Sequence, residues 1–256
     1  MDAPQITLAL AASIGGGMMN AMAGGGTLLT YPALLFAGES AIIANATSSV
    51  ALWPGAAASL YGYRREVRSH AGWLKLLFLP SLLGGAVGAA LLLRTPPAVF
   101  ERMSPFLVLF ATTLFMIQGA VARRRRREAP GGPRSKRLPV AWLLQLGIGV
   151  YGGYFGAGIG ILMLAVLGFL GLGDIHAANG VKNFFAMCMN GVAAAWFIIQ
   201  GAVDWPVALV MIAGAIGGGY AGARWARRME RERARAAVVI IGLAVTAALL
   251  WRQFGG

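Results

Sequence analysis

Two glycine clusters and one isolated lysine carry the residue types from which this chain could build a binding site. Gly24, Gly25 and Gly26 run unbroken, and Gly156 and Gly158 flank Ala157. Each cluster falls inside a long apolar run. A helix interrupted there leaves backbone N–H and C=O groups unpaired, and at membrane depth protein or trapped water must satisfy them. A half-helix restarting after the break turns free N–H donors and the positive end of its dipole inward. That is chemistry for holding an anion; the plainer alternative is a packing kink. Polar side chains recur nearby: Asn45, Thr47, Ser48 and Ser49 in one stretch, Asn179, Lys182 and Asn183 in another, with Asn20 and Asn190 adding amides. Lys182 is well separated from every basic tract. An ionisable residue at membrane depth marks a functional site; against this, a lysine near a helix start can snorkel to the interface. The expected substrate site comprises Gly24, Gly25, Gly26, Asn45, Thr47, Ser48, Gly156, Gly158, Asn179, Lys182 and Asn183.

Other chemistries find little support. The nine acids are Asp2, Glu39, Glu66, Glu101, Glu128, Asp174, Asp204, Glu230 and Glu232. None sits in the middle of an apolar run, which argues against a buried carboxylate proton relay or a carboxylate sodium site. His70 and His176 lie near loops. Cys188 is the single cysteine, so no intramolecular disulfide and no cysteine metal set exists. Met18, Met19, Met22, Met187 and Met189 lack companion Cys or His ligands and read as packing. No nucleophile stands beside a base, and no Walker-type phosphate loop occurs. The chain is expected to be neither an enzyme nor a cofactor or metal protein.

The elements that position these residues follow from composition. Hydrophobic residues make up 58% and charged residues 12%, with a mean hydropathy of +0.68. Soluble domains carry about 25% charged residues, so lipid is the solvent that fits, and a multi-pass inner-membrane protein is expected. Asp2 stands where a signal peptide would carry positive charge, so the first apolar stretch reads as retained structure. The net charge of +13 does not indicate nucleic acid. Its excess gathers around Arg64 to Lys75, in the tract 123–137, and in 224–235, each between apolar runs. Cytoplasmic loops collect Lys and Arg in this way, and contact with anionic lipids follows. An oligomer is compatible with all of this.

A span needs about 20 apolar residues, which predicts an all-α fold of eight segments: 5–36, 41–62, 73–94, 99–121, 139–170, 175–200, 205–225 and 235–253. The first and fifth are too long for one crossing and are glycine-interrupted. They also resemble each other. Gly26 and Gly158 are 132 apart; Asn45 and Asn179, and Gly84 and Gly218, are 134 apart. Gly84, Gly85 and Gly88 and their counterparts Gly218, Gly219 and Gly222 read as close helix-packing faces. Two repeats are therefore predicted, 1–122 and 139–256, joined by a basic cytoplasmic linker over 123–138. If segments one and five re-enter on the side they came from, all three basic loops share one face, the loop holding Asp204 faces out, and the repeats are inverted. Inverted repeats with broken helices are a transporter architecture that binds substrate between the repeats.

The ordered set Gly24-Gly25-Gly26-Thr27, Tyr31-Pro32 and Ala44-Asn45-Ala46-Thr47-Ser48, with its echoes from Gly152 to Asn183, resembles the TauE/SafE sulfite exporter family, also called the TSUP permeases. The resemblance covers nearly the whole chain. It implies seven or eight hydrophobic segments in two related halves, and a substrate among sulfite, sulfoacetate or other organosulfonates. The expected function is alternating-access transport of such an anion. Alternatives are an anion channel, a metal or thiol permease, and a non-transporting membrane assembly component. The exact anion, the direction of transport and the coupling ion stay open.

Overall fold

A computed structural model describes residues 3–22, 25–62, 64–127, 138–172, 174–225 and 231–254. Among the described residues the chain is all α-helix, with no strand. The helices are α1 (Ala3–Met22), α2 (Thr27–Phe36), α3 (Ala41–Gly62), α4 (Arg64–Ser69), α5 (Ala71–Arg94), α6 (Pro97–Arg127), α7 (Leu138–Tyr154), α8 (Ile159–Phe169), α9 (Ile175–Ile199), α10 (Trp205–Trp225) and α11 (Arg231–Phe254).

The long stretch 5–36 is two helices, α1 and α2, and 139–170 is likewise α7 and α8. Both breaks fall at the glycine clusters. At the second, Gly156 (φ +79°) and Gly158 (φ +77°) take left-handed backbone, a conformation that costs glycine nothing and other residues strain. Gly24 lies outside the described residues. At 1.5 Å per residue, α2 with 10 residues and α8 with 11 are about 15–17 Å long, half of a bilayer core of about 30 Å. The two half-helices end alike. The amides of Ala37, Gly38 and Glu39 bond back to the carbonyls of Ala33, Leu35 and Leu34, and those of Leu170, Gly171 and Leu172 to Val166, Gly168 and Leu167. The short α4 has no counterpart among the expected segments. Helix α6 also runs on to Arg127, past residue 123, because arginine is a good helix former.

Three described helices are long and apolar enough to cross a membrane: Ala71–Arg94, Pro97–Ile117 and Ala177–Ile199. Thr27–Phe36, Ile159–Phe169, Trp205–Ala221 and Val239–Phe254 are shorter apolar helices. Large apolar side chains face outward, among them Leu143, Ile199, Leu209, Ile240 and Trp251. So many exposed apolar side chains belong in lipid, and the chain is a membrane protein.

Packing pairs the helices crosswise. α1 lies on α10 and α5 on α7; α3 lies on α10 and α5 on α9; α3 meets α9, and α6 meets α11. Glycine makes the seams tight. A Cβ on Gly84 would stand 2.6 Å from the Leu146 carbonyl oxygen, and one on Gly85 2.9 Å from that of Met189. A Cβ on Gly218 would overlap the Ile14 carbonyl oxygen. Gly84, Gly85 and Gly218 are thus packing glycines.

Candidate anion-binding cavity

A cavity of about 50 Å³ lies where α3 and α9 meet the two helix breaks. α1 contributes Asn20 and α2 contributes Thr27. α3 supplies Ser49, Leu52 and Ala56. The α7–α8 link and α8 supply Gly156, Ile159 and Gly160, and α9 supplies Lys182, Asn183, Ala186 and Asn190. Residues spaced three, four and seven apart share one helical face, so α3 and α9 each present one stripe. The stripes match in register: Ser49 and Asn183, Leu52 and Ala186, and Ala56 and Asn190 are each 134 apart, and Thr27 and Ile159 are 132 apart.

The two breaks are not chemically alike. At the first, the amides of Gly25 and Gly26 both donate to Asn20 Oδ1 at 3.0 Å, so a side chain satisfies the start of α2. The residue 132 further on is Gly152, which has no side chain to do this. No side chain caps α8 at Gly158. The positive end of α8 therefore adjoins the cavity through Ile159 and Gly160. Lys182 joins it there at 5% exposure. Burying an ammonium costs free energy unless something compensates its charge. A cavity lined by a buried cation, a helix N-terminus and amide or hydroxyl groups favours a small anion.

Of the expected site residues, Gly156, Lys182 and Asn183 line the cavity together. Gly25 and Gly26 stand one hydrogen bond behind it, through Asn20. Gly158 caps α8, where a Cβ would come 3.3 Å from Leu114 of α6. Ser48 is buried against Thr30 in a hydroxyl pair. Thr47 Oγ1 accepts the Asp204 amide at 3.0 Å. Asn45 Nδ2 donates to the Tyr154 carbonyl oxygen at 3.0 Å. Asn179 sits one turn before Asn183 and is not among the lining residues. The lining residues that the expected set lacks are Asn20, Thr27, Ser49, Ile159, Gly160 and Asn190, with Leu52, Ala56 and Ala186. Extending the 134-residue offset from Asn183 back to Ser49, and along the stripe to Asn190, was the signal that could have found two of them. Among the described residues no group of three His, Cys, Asp or Glu could hold a metal.

At one end of the bundle the α2–α3 loop meets the start of α10. Asp204 caps α10 by accepting the Val207 amide at 3.2 Å. Partial burial raises Glu39 above the usual carboxylate range, and the neighbouring Asp204, with which it shares a hydrogen bond, adds to the rise. A carboxyl with a raised native pKa binds its proton more tightly folded than unfolded. Stability is then highest below the unfolded value and declines as pH rises from there through the raised native value. Glu39→Gln should flatten that decline, so its melting temperature gains on the wild type at pH 7 relative to pH 4. Parallel curves across that range would show that Glu39 is not coupled to folding.

The profile of a family described as "Sulfite exporter TauE/SafE" matches residues 8–249. A Haemophilus influenzae protein named "Probable membrane transporter protein" is 33% identical over 240 residues, covering 92% of this chain and 90% of that one. "Probable membrane transporter protein YfcA" of Escherichia coli K12 is 29% identical, covering 93% and 87%. "Probable membrane transporter protein ORF9" of a Sinorhizobium species is 29% identical, covering 91% and 88%. No solved structure matches the chain.

Proposed function

This chain belongs to the Sulfite exporter TauE/SafE family, and from that premise we propose that it is a secondary transporter of small sulfur oxyanions, sulfite first among them. The observation that carries the reading is the cavity between matched stripes of α3 and α9, where Lys182 and the start of α8 supply positive charge. In this reading Lys182 gives the charge and Asn183, Ser49 and Asn190 give hydrogen bonds. The N–H groups near Gly156 and Gly158 take part, and Asn20 with Gly25 and Gly26 closes the opposite side.

The volume bears on the substrate. A water-sized sphere needs about 10–15 Å³, so the cavity takes roughly the sulfur and oxygens of sulfite, and an organosulfonate requires it to widen. Two inverted repeats, 1–122 and 139–256 around a linker at 123–138, are supported by the matched breaks, the like ends of α2 and α8 and the crosswise packing. The closeness of Glu39 and Asp204 at one end of the bundle supports re-entry of α7–α8, since five full crossings between them would part them. With the basic loops opposite, the reading is of an inner-membrane protein whose linker meets anionic lipid.

Flux into proteoliposomes tests it, comparing sulfite, sulfoacetate, taurine, sulfate and chloride. Saturable sulfite flux, competed more weakly by sulfoacetate, is the expected result. Flux that rises linearly with concentration would make the chain a channel, and no flux of any anion through folded protein would end the anion reading.

A further inference from the structure

The fold uses only one end of the Asn20 amide. Its Oδ1 accepts from the amides of Gly25 and Gly26 at 3.0 Å each. Both partners are donors, so the side chain cannot be turned round without setting its NH2 group against two N–H groups. Oδ1 is thus fixed at the start of α2, and the other end is Nδ2, which can only donate. Among the described residues no group accepts from Nδ2. Nor is it sealed in, as the unpartnered Oδ1 of Asn45 is. Nδ2 opens onto free space, and the space that Asn20 borders is the cavity.

Lys182 borders the same cavity, and its ammonium likewise has hydrogens to give and no lone pair to offer. A space of about 50 Å³ is only a few atoms across, so a ligand held by one wall touches the other. Each half of the chain supplies what the other lacks. The residue 132 after Asn20 is Gly152. The residue 134 before Lys182 is Ser48, which pairs with Thr30 and is not among the lining residues. One donor from each half therefore meets a ligand that must accept on both sides.

We propose that Asn20 Nδ2 donates a hydrogen bond to the bound anion and that Oδ1 relays the binding to α2. This role rests on the anion reading of the cavity and adds the residue that couples the anion to a helix break. An oxygen that accepts from Nδ2 polarises the amide, so Oδ1 holds the amides of Gly25 and Gly26 more tightly. Binding in the cavity then firms the join between α1 and α2.

Asn20→Asp separates the two ends. One carboxylate oxygen still accepts from Gly25 and Gly26, and negative charge at a helix start is favourable, so the cap is kept. The other oxygen puts an acceptor where the anion needs a donor. Sulfite is titrated calorimetrically into the full chain in detergent, at neutral pH or above to keep the carboxylate charged. It should bind Asn20→Asp about a hundredfold more weakly than the wild type, from the lost contact and the added repulsion together. A residue that only caps α2 leaves affinity unchanged, so binding within about threefold of the wild type would overturn the proposal. A second measurement needs no variant: saturating sulfite should slow hydrogen exchange at the amides of Gly25 and Gly26. Exchange that ignores sulfite would overturn the relay even where Asn20→Asp does not fold. Wild-type protein that binds no sulfite brings down the cavity reading and the Asn20 role together. Wild-type binding beside an unaffected Asn20→Asp removes Asn20 alone.

Discussion

Lys182→Met should weaken sulfite binding by about ten- to hundredfold while leaving the protein folded. Among the described residues Lys182 is the one cation that lines the cavity. A hydrogen bond to a charged group is worth roughly 1.5–3 kcal/mol, and each 1.4 kcal/mol is about a factor of ten in affinity. Arg124→Ala, in the basic tract after the fourth apolar segment, is the control, and its sulfite affinity should stay within about twofold. Lys182→Arg keeps the charge on a bulkier head and should fall between. Competition flux and calorimetric titration read all three. Equal losses from Lys182→Met and Arg124→Ala would mean that the chain responds to net charge and not to a cavity cation.

Much of the architecture is legible because lipid restricts the choices. Apolar runs of about 20 residues have to be helices, and glycine clusters inside over-long runs have to be breaks. α1 stops at Met22 and α2 restarts at Thr27; α7 stops at Tyr154 and α8 restarts at Ile159. Lys182 was legible for a related reason, since a cation far from any basic loop needs an explanation. The hydroxyls and amides of the first-half motif were a different matter. Asn45, Thr47, Ser48 and Ser49 are successive or nearly so on α3, and a helix turns about 100° per residue, so Thr47 and Ser48 point away from the face that Asn45 and Ser49 share. One meets Tyr154, one Asp204, one Thr30, and one the cavity. A motif written in a line cannot say which member faces inward. Asn20 was obscured because its partners, Gly25 and Gly26, are the groups that a sequence would leave open for the anion.

Gly88→Ala should destabilise the fold by about 1–3 kcal/mol, roughly 2–12 °C in melting temperature, whereas Gly217→Ala should be neutral or stabilise by up to about 1 kcal/mol. A Cβ on Gly88 would overlap the Val150 carbonyl oxygen and stand 2.7 Å from the Tyr154 amide nitrogen. Both belong to the backbone of α7, so no rotamer change makes room and the helices must separate. Gly217 has nothing within 4 Å, so alanine there gains helix propensity at no steric cost. The contrast bears on how such a protein could move. Gly88, Gly84 and Gly153 bind α5 to α7, and Gly17 and Gly218 bind α1 to α10. Each seam joins a helix of the first half to one of the second. One sequence half rocking rigidly against the other would have to open both. The bodies consistent with tight seams are α1, α3 and α10 on one side and α5, α7 and α9 on the other. The cavity lies where α3 and α9 face each other between them. If Gly88→Ala melts with the wild type, the α5–α7 seam is loose, and motion of whole halves becomes the simpler account.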